Sequence, residues 1–361
     1  MDRSPLEKIE GLALRILSNL DIVGLSKEWA AAVRILCVLH RIRCIEWQQY
    51  GPFAVCNQGS FTFRDLFYLS KSDEVLNPLG TGTSAAYASS PFREKLSVRS
   101  TRRGLMLLEK VFQEPELRYQ LGALPMPKGI LWAPSGFVLQ WSPNRDVHHE
   151  LELSSVVPVP PELGRASTTF RLRLHEAHFG NPNFGAKLRA VLVVEKETTF
   201  RALLRGIHDP PGKFLRYAQL NRVAMISGKG YPDRATKVLV RYLAKTEEIP
   251  VFLLTDCDPN GIAIALQYDG ATERIGVPLH GPENAGFAAL RLLVDHDHSL
   301  LKQLQRRITC MDGIGASLQP PLAWMAATGY KSEIESLSNP DLTEFVIRAL
   351  KQRLKVYSVH K

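Results

Sequence analysis

Pro250-Val-Phe-Leu-Leu-Thr-Asp-Cys-Asp-Pro-Asn-Gly261 sets the fold class of this chain. Val251 to Thr255 is a short apolar run with the pattern of a buried strand. It stops at two carboxylates, Asp256 and Asp258, followed by the turn-forming Pro-Asn-Gly. Residues two apart on an extended chain point the same way. Two like charges held at a strand end repel, so a cation is expected between them. An all-oxygen ligand set favours a hard ion, Mg2+ or Mn2+.

Two further runs have the same form. Ala190-Val-Leu-Val-Val-Glu-Lys196 ends at another carboxylate, Glu195, and Arg222-Val-Ala-Met-Ile-Ser-Gly-Lys-Gly230 ends in a glycine-rich turn. Helical stretches separate the runs, from Thr198 to Ile207 and from Asp233 to Lys245. The resulting β-α-β-α-β order predicts a parallel sheet with its ligands at the carboxyl ends of the strands. Glu195, Gly228, Asp256 and Asp258 all fall on that edge. A helix N-cap or turn role is the bland alternative for each acid.

The ordered set of Val-Val-Glu-Lys-Glu197, Gly228-Lys-Gly-Tyr-Pro-Asp233 and Asp256-Cys-Asp-Pro-Asn-Gly-Ile-Ala-Ile264 resembles a Toprim domain. Its flavour is that of the topoisomerase VI A chain and, more closely, of the eukaryotic transesterases that make meiotic DNA double-strand breaks. The resemblance implies an α/β and α+β chain in which an N-terminal winged-helix (CAP-like) domain precedes the Toprim domain. Arg64-Asp-Leu-Phe-Tyr68 matches that family's Arg-Asp-x-[Phe/Tyr]-Tyr element, which makes Tyr68 the attacking tyrosine. Arg64, four residues earlier on a helix, would share its face and stabilise the phenolate or a phosphate oxygen.

The resemblance further implies a 5′-phosphotyrosyl linkage and metal held by Glu195 and Asp258 with Asp256 contributing. It implies a dimer in which one protomer's tyrosine meets the other's metal site. Duplex DNA, a topoisomerase VI B-like protein and other break-forming proteins are the implied partners, and the nucleus the implied compartment. Three alternatives accompany this reading: a topoisomerase VI A chain working with a separate ATPase chain, a Toprim nuclease or primase, and a non-catalytic DNA-binding scaffold.

The bulk properties agree with a nucleic-acid partner without requiring one. The chain has 361 residues and a net charge of +9, with a pI near 9.3. No apolar run approaches the roughly 18 residues that span a membrane. The start, Met-Asp-Arg-Ser-Pro-Leu-Glu-Lys, lacks the apolar core of a signal peptide. Five cysteines without a Cys-x-x-Cys pair point to a reducing compartment and away from structural zinc.

Along the chain, Ser26 to Ile42 reads as a buried helix with apolar positions at Val33, Leu36, Cys37, Leu39 and Ile42. Arg34 and Arg41 share its outer face, as a solvated surface or as phosphate contacts. Phe53-Ala-Val-Cys56 is a short strand, and Thr62 to Ser70 a helix with a capping-box-like start. Residues 1–155 are therefore assigned to the winged-helix domain, with a flexible excursion at 70–103, a linker at 156–185 and the Toprim domain with C-terminal helices at 186–361.

The excursion ends in Arg99, Arg102 and Arg103, which with Arg34, Arg41 and Lys229 are the candidate DNA contacts. Gly80-Thr-Gly-Thr-Ser-Ala85 follows no strand and is not read as a dinucleotide site. Leu105 to Tyr119 reads as helical, and Pro127–Trp132 and Gly136–Trp141 as strands of a wing. His148, His149 and Asp295-His-Asp-His298 read as solvated loops, and Gly329 to Leu337 and Leu342 to Leu354 as helix.

Overall fold

The structure is a computed structural model. It describes residues 9–12, 14, 32–33, 35–36, 39–40, 61–62, 98–113, 117–121, 123–124, 126–144, 147–175, 187–205, 212–276, 290–308 and 314–359. The chain divides into two compact units, Met1–Met126 and Pro127–Lys361.

In the first unit, Ala32, Ile35, Leu36 and Leu39 are helical and buried, the spacing of one helix face. A second helix spans Val98–Phe112 and buries Leu105, Leu108 and Phe112. It takes in the last residues of the expected excursion, Val98 to Arg103. Glu109 holds the short helix Leu117–Gln120 through Arg118 Nε at 2.6 Å. Phe61–Thr62 pairs in parallel with Ala123–Leu124. The Phe53–Cys56 strand, the helix after Thr62, the Gly80–Ala85 turn, Arg34, Arg41, Arg64 and Tyr68 lie outside the described residues.

The second unit is built on one six-stranded sheet. Its strands are β1 (Ile130–Trp132), β4 (Val157–Pro158), β6 (Ala190–Val194), β7 (Val223–Ser227), β8 (Val251–Thr255) and β9 (Glu273–Gly276), in the order β9-β8-β6-β7-β1-β4. Strands β6 to β9 are parallel neighbours, and β1 and β4 extend the sheet antiparallel. Every residue of β6, β7 and β8 is buried. Continuous apolar runs of this kind suit a parallel sheet covered on both faces.

The side chains alternate between two cores, as a period of two requires. Val191, Val193, Ala224, Ile226, Val251 and Leu253 face α3 (Arg234–Lys245), α4 (Pro259–Ala265), α5 (Asp295–Ile308) and α6 (Ile314–Thr328). Ala190, Leu192, Val194, Val223, Met225, Phe252 and Leu254 face α1 (Glu197–Arg205), α2 (Lys213–Asn221) and the C-terminal α7 (Asn339–Val359). Helix α2 lies in the stretch between the two expected helices. Asp233 caps α3, its side chain accepting from Thr236 N at 2.8 Å.

Five expectations are corrected here. First, Ile130–Trp132 is not part of an N-terminal wing. It hydrogen-bonds to β7, so the second unit starts at Pro127. Second, the expected linker contains β4, a 3-10 turn at Pro161–Gly164 and β5 (Thr169–Leu174). Pro158 fits because β4 is an edge strand, where a missing N–H is tolerated.

Third, His148 and His149 are exposed but sit on a strand, β3 (Val147–Glu152), which joins β2 (Phe137–Asn144) and β5 in a three-stranded antiparallel sheet. Fourth, Asp295 to His298 opens α5, where two acids in the first turn suit the positive end of the helix dipole. Fifth, of the stretch read as helix after Gly329, Tyr330–Ser332 is a strand, β11, paired with β10 (Leu290–Leu292), and Ile334–Ser336 a 3-10 turn.

Candidate functional site

Strands β8, β6 and β7 lie side by side and parallel, so the residues that follow them share one edge. Glu195 follows β6, Gly228 follows β7, and Asp256 follows β8. The edge read from the sequence is thus formed as expected, and its acids are tightly placed. Glu195 is 6% exposed. Its backbone N donates to Leu254 O at 2.9 Å, and its Oε2 accepts from Asp256 N at 2.9 Å. Its carbonyl accepts from Gly230 N at 2.8 Å and Ser227 Oγ at 3.3 Å, which ties the glycine-rich turn to the same point.

Asp258 takes the bland role with one oxygen. It is the N-cap of α4, its Oδ1 accepting from Gly261 N at 2.5 Å, with Pro259 in the first turn. Gly261 is required by close approach: a Cβ there would lie 2.4 Å from the Asp256 carbonyl oxygen. Gly228 is packed likewise, since a Cβ would meet Tyr268 Oη at 2.5 Å and the Pro232 backbone at 2.9 Å.

Asp256, 3% exposed, is held at both oxygens. Its Oδ1 accepts from Ile334 N at 2.8 Å, and its Oδ2 pairs with Lys196 Nζ at 2.7 Å. Lys196 also reaches Glu335 Oε2 at 2.6 Å. The cation expected beside the Asp pair is therefore supplied on the Asp256 side by the protein itself.

A second protein cation lies behind the strand end. Arg274, on β9, is buried, and donates to Thr255 Oγ1 at 2.8 Å, Thr255 O at 2.9 Å and Asp256 O at 2.8 Å. Sequence reasoning singles out neither Lys196 nor Arg274. The one available signal for Arg274 is an arginine inside a short strand with a glycine two residues on.

The electrostatics match this arrangement. Burial, with the charge on Asp256 added, pushes the Glu195 carboxyl up to about 7. Burial also raises Asp256, against the lysine and the Ile334 N–H. It raises Asp258, against the Gly261 N–H. Burial disfavours charge on Lys196 too, but Asp256 and Glu335 outweigh it and hold the ammonium above its ordinary range. The site is a cluster of acids short of positive charge.

Among the described residues, no group of three or more acids, histidines or cysteines is already arranged as a metal cage. The reason is visible in Asp256, whose oxygens are taken by Lys196 and Ile334. Glu195 Oε1 and Asp258 Oδ2 have no hydrogen-bond partner among the described residues. These free hard oxygens, beside raised carboxyls, fit a hard divalent cation.

Of the candidate DNA contacts, Lys229 stands on the edge with φ 52° and pairs with Glu197 at 2.9 Å. Arg103 is exposed on the helix that also carries positions 99 and 102. Among the described residues no helix is long and apolar enough to cross a membrane.

A further layer of charge lies behind the acids and has no counterpart in the sequence reading. Asp297, buried at the start of α5, accepts from Val294 N at 3.1 Å and pairs with Lys331 Nζ at 2.7 Å. Ser332 and Cys257 exchange backbone hydrogen bonds at 2.8 and 3.0 Å, which fastens the β10–β11 ribbon to the loop between the two aspartates.

Residues 190–277 match the family model for the Toprim domain of Spo11 and the topoisomerase 6 A chain. Meiotic recombination protein SPO11-1 of Oryza sativa subsp. indica is 37% identical over 78 residues, 22% of this chain and 18% of that protein. Meiotic recombination protein SPO11 of Homo sapiens is 40% identical over 89 residues, 25% of this chain and 20% of the human one. The type 2 DNA topoisomerase 6 A chain of Aeropyrum pernix is 36% identical over 97 residues, 24% of this chain and 22% of the archaeal one. Each match spans about a fifth of the relative's length. Residues 190–277 are a Toprim domain of the kind found in Spo11 and the topoisomerase 6 A chain.

Proposed function

We propose that the chain is a DNA-cleaving transesterase that makes double-strand breaks with protein joined to the 5′ ends, in meiotic recombination. The observation that carries this reading is the edge at Glu195, Asp256 and Asp258, inside the stretch 190–277 that matches the Toprim model of Spo11 and the topoisomerase 6 A chain. The reading extends to an N-terminal winged-helix domain that carries Tyr68 as nucleophile, with Arg64 beside it.

An ordinary phenol has a pKa near 10, so attack requires that its proton be lost and the phenolate stabilised, the role assigned to the Arg64 guanidinium. The Tyr68 oxygen forms a bond to a backbone phosphorus and the bond from that phosphorus to the 3′ oxygen breaks. The 3′ oxygen takes up a proton and leaves as a hydroxyl. One phosphodiester replaces another, so the step needs no ATP. Glu195 and Asp258, with Asp256, are the residues that would hold Mg2+. When bound there, a hard divalent cation supplies positive charge beside the phosphate and its leaving oxygen. Arg34, Arg41, Arg99, Arg102, Arg103 and Lys229 are proposed to contact DNA phosphates.

Two copies would cut the two strands, each centre combining Tyr68 of one protomer with the acids of the other. A topoisomerase 6 B-like protein and other break-forming proteins are the proposed partners, in the nucleus. The test is DNA that stays attached to the protein after denaturation. Wild-type protein should form the adduct and Tyr68→Phe should bind DNA without forming it. An adduct with the Phe variant removes Tyr68 from the role. In a verified mixed dimer of Tyr68→Phe with Glu195→Gln, shared centres leave one intact and predict single-strand adducts; their complete absence means each centre is built within one chain. The similarity to a topoisomerase 6 A chain supports a second reading, strand passage with a separate ATPase chain. ATP-dependent relaxation of supercoiled DNA by the assembled complex would select it.

A further inference from the structure

Lys196 occupies an unusual position for a residue next to a proposed metal ligand. Its ammonium bridges a buried acid and an exposed one. Asp256 Oδ2, on a side chain 4% exposed, lies 2.7 Å away, and Glu335 Oε2, on a side chain 41% exposed, lies 2.6 Å away. Glu335 is itself steadied by Thr198 Oγ1 at 3.3 Å. Glu333 Oε2 stands 4.0 Å from the same ammonium and is anchored by Arg291 at 2.8 Å. The lysine thus has a complete alternative set of anions on its outer side. Among the described residues Asp256 has no other cationic side chain at its carboxylate oxygens, since Arg274 reaches only its backbone carbonyl.

We propose that Lys196 is a tethered competitor of the divalent cation: it holds Asp256 while the acids are empty, and Glu335 receives it when the ion binds. The inference rests on the reading of Glu195, Asp256 and Asp258 as cation ligands. Three acids crowded in low dielectric without a counter-ion repel strongly, so a protein that folds before it meets metal needs a provisional positive charge. A flexible lysine suits that task, because it is a point charge on a four-carbon stem that can change partners with little backbone movement. Glu335 and Glu333 make the departure inexpensive, since the ammonium stays paired. Asp256 then becomes available to an ion that already has Glu195 Oε1 and Asp258 Oδ2 to bind. The centre stays neutralised in both states.

The test is titration of the full chain with Mn2+ followed by electron paramagnetic resonance, on wild type, Lys196→Met, Glu335→Gln and the double variant, with thermal melts to verify folding. Lys196→Met should bind Mn2+ about tenfold more tightly, the scale of one removed charge near a partly exposed site. Glu335→Gln should weaken binding by roughly threefold, because the displaced ammonium loses its receiver. In the Lys196→Met background Glu335→Gln should have a clearly smaller effect, since only its direct charge on Asp256 is then left. Binding by Lys196→Met that is equal to or weaker than wild type overturns the proposal. So does a Glu335→Gln effect of the same size in both backgrounds, which makes Glu335 a direct electrostatic contributor. Binding by Lys196→Met alone, with none by wild type, supports it in its strongest form. Absence of Mn2+ binding in every variant overturns it together with the metal reading, whereas a Tyr68-dependent adduct that forms equally in excess chelator removes the ion's part in cleavage alone.

Discussion

The acidic edge at residues 190–261 and the ribbon at 290–336 meet at one site, yet they are encoded differently. The edge places its acids by local devices: a buried strand, a carboxylate at its end, and a cap-and-proline turn. The ribbon supports the same acids from far along the chain. Ile334 donates to Asp256 across 78 residues, and Ser332 pairs with Cys257. The acids proposed for the chemistry are placed by short stretches of sequence, and their support comes from contacts of long range. Neutralising an acid of the edge should therefore remove function and spare the fold, and breaking the buried pair under the ribbon should lower stability.

The largest expected effect tests the first half. Asp258→Asn and Glu195→Gln each remove a negative charge that a hard cation needs, while keeping shape and one acceptor oxygen. DNA cleavage should fall to background in both, and in wild type on addition of excess chelator, measured as covalent adduct. Undiminished cleavage by either variant would place the chemistry elsewhere than this edge.

Next in size is the buried pair under the ribbon. Asp297→Ala strands Lys331, whose ammonium lies 2.7 Å from the lost carboxylate. Breaking a buried pair in this way costs about 3 kcal/mol, which calorimetry should register as a lower melting midpoint. Burial works against the Asp297 carboxylate, but Lys331 and the Val294 N–H outweigh it and hold its pKa below the usual value. An acid depressed in the fold adds stability above its unfolded pKa and loses it as pH falls through the folded one. The wild-type advantage over Asp297→Ala should therefore shrink below about pH 4. A variant as stable as wild type at pH 7 would show that the ribbon is not supported by this pair.

The same contrast explains what can be read from the residues alone. Strands β6, β7 and β8 are readable because both faces of a parallel sheet demand unbroken apolar runs, and few other structures do. The capped turn at Asp258 is readable because Asp-Pro-x-Gly has few other uses. Ile130–Trp132 reads into the wrong unit because an apolar triplet carries no mark of its partner strand; only pairing with β7 does that. Tyr330–Ser332 reads as helix for the same reason, since its strand form depends on Leu290–Leu292. Arg274 and Lys196 escape a sequence reading because a cation's worth lies in what surrounds it, here Thr255 and Asp256 for the arginine and Asp256 and Glu335 for the lysine.

A third change sharpens the edge's own anatomy. Gly228→Ala puts a methyl group against Tyr268 Oη and the Pro232 backbone. Overpacking of this kind costs about 1–3 kcal/mol. Tyr268→Phe in the same protein removes the nearer clash and should recover part of the loss, because the Pro232 contact remains. A melting midpoint that does not rise on adding Tyr268→Phe would show that the hydroxyl is not what crowds Gly228.

The smallest effect separates the two roles of Asp258. As the N-cap of α4 it offers Oδ1 to Gly261 N. Asparagine caps as well as aspartate, so Asp258→Asn should leave stability within about 0.5 kcal/mol of wild type, while Asp258→Ala should lose about 1 kcal/mol. The asparagine variant also removes one of three mutually repelling carboxylates, with Lys196 left in place on Asp256, so any shift in its melting midpoint should be upward. One substitution is thus expected to be the most damaging to cleavage and the least damaging to the fold. If Asp258→Asn instead melts as low as Asp258→Ala, the charge itself is part of the cap, and loss of cleavage in that variant would no longer distinguish a missing ligand from a loosened α4.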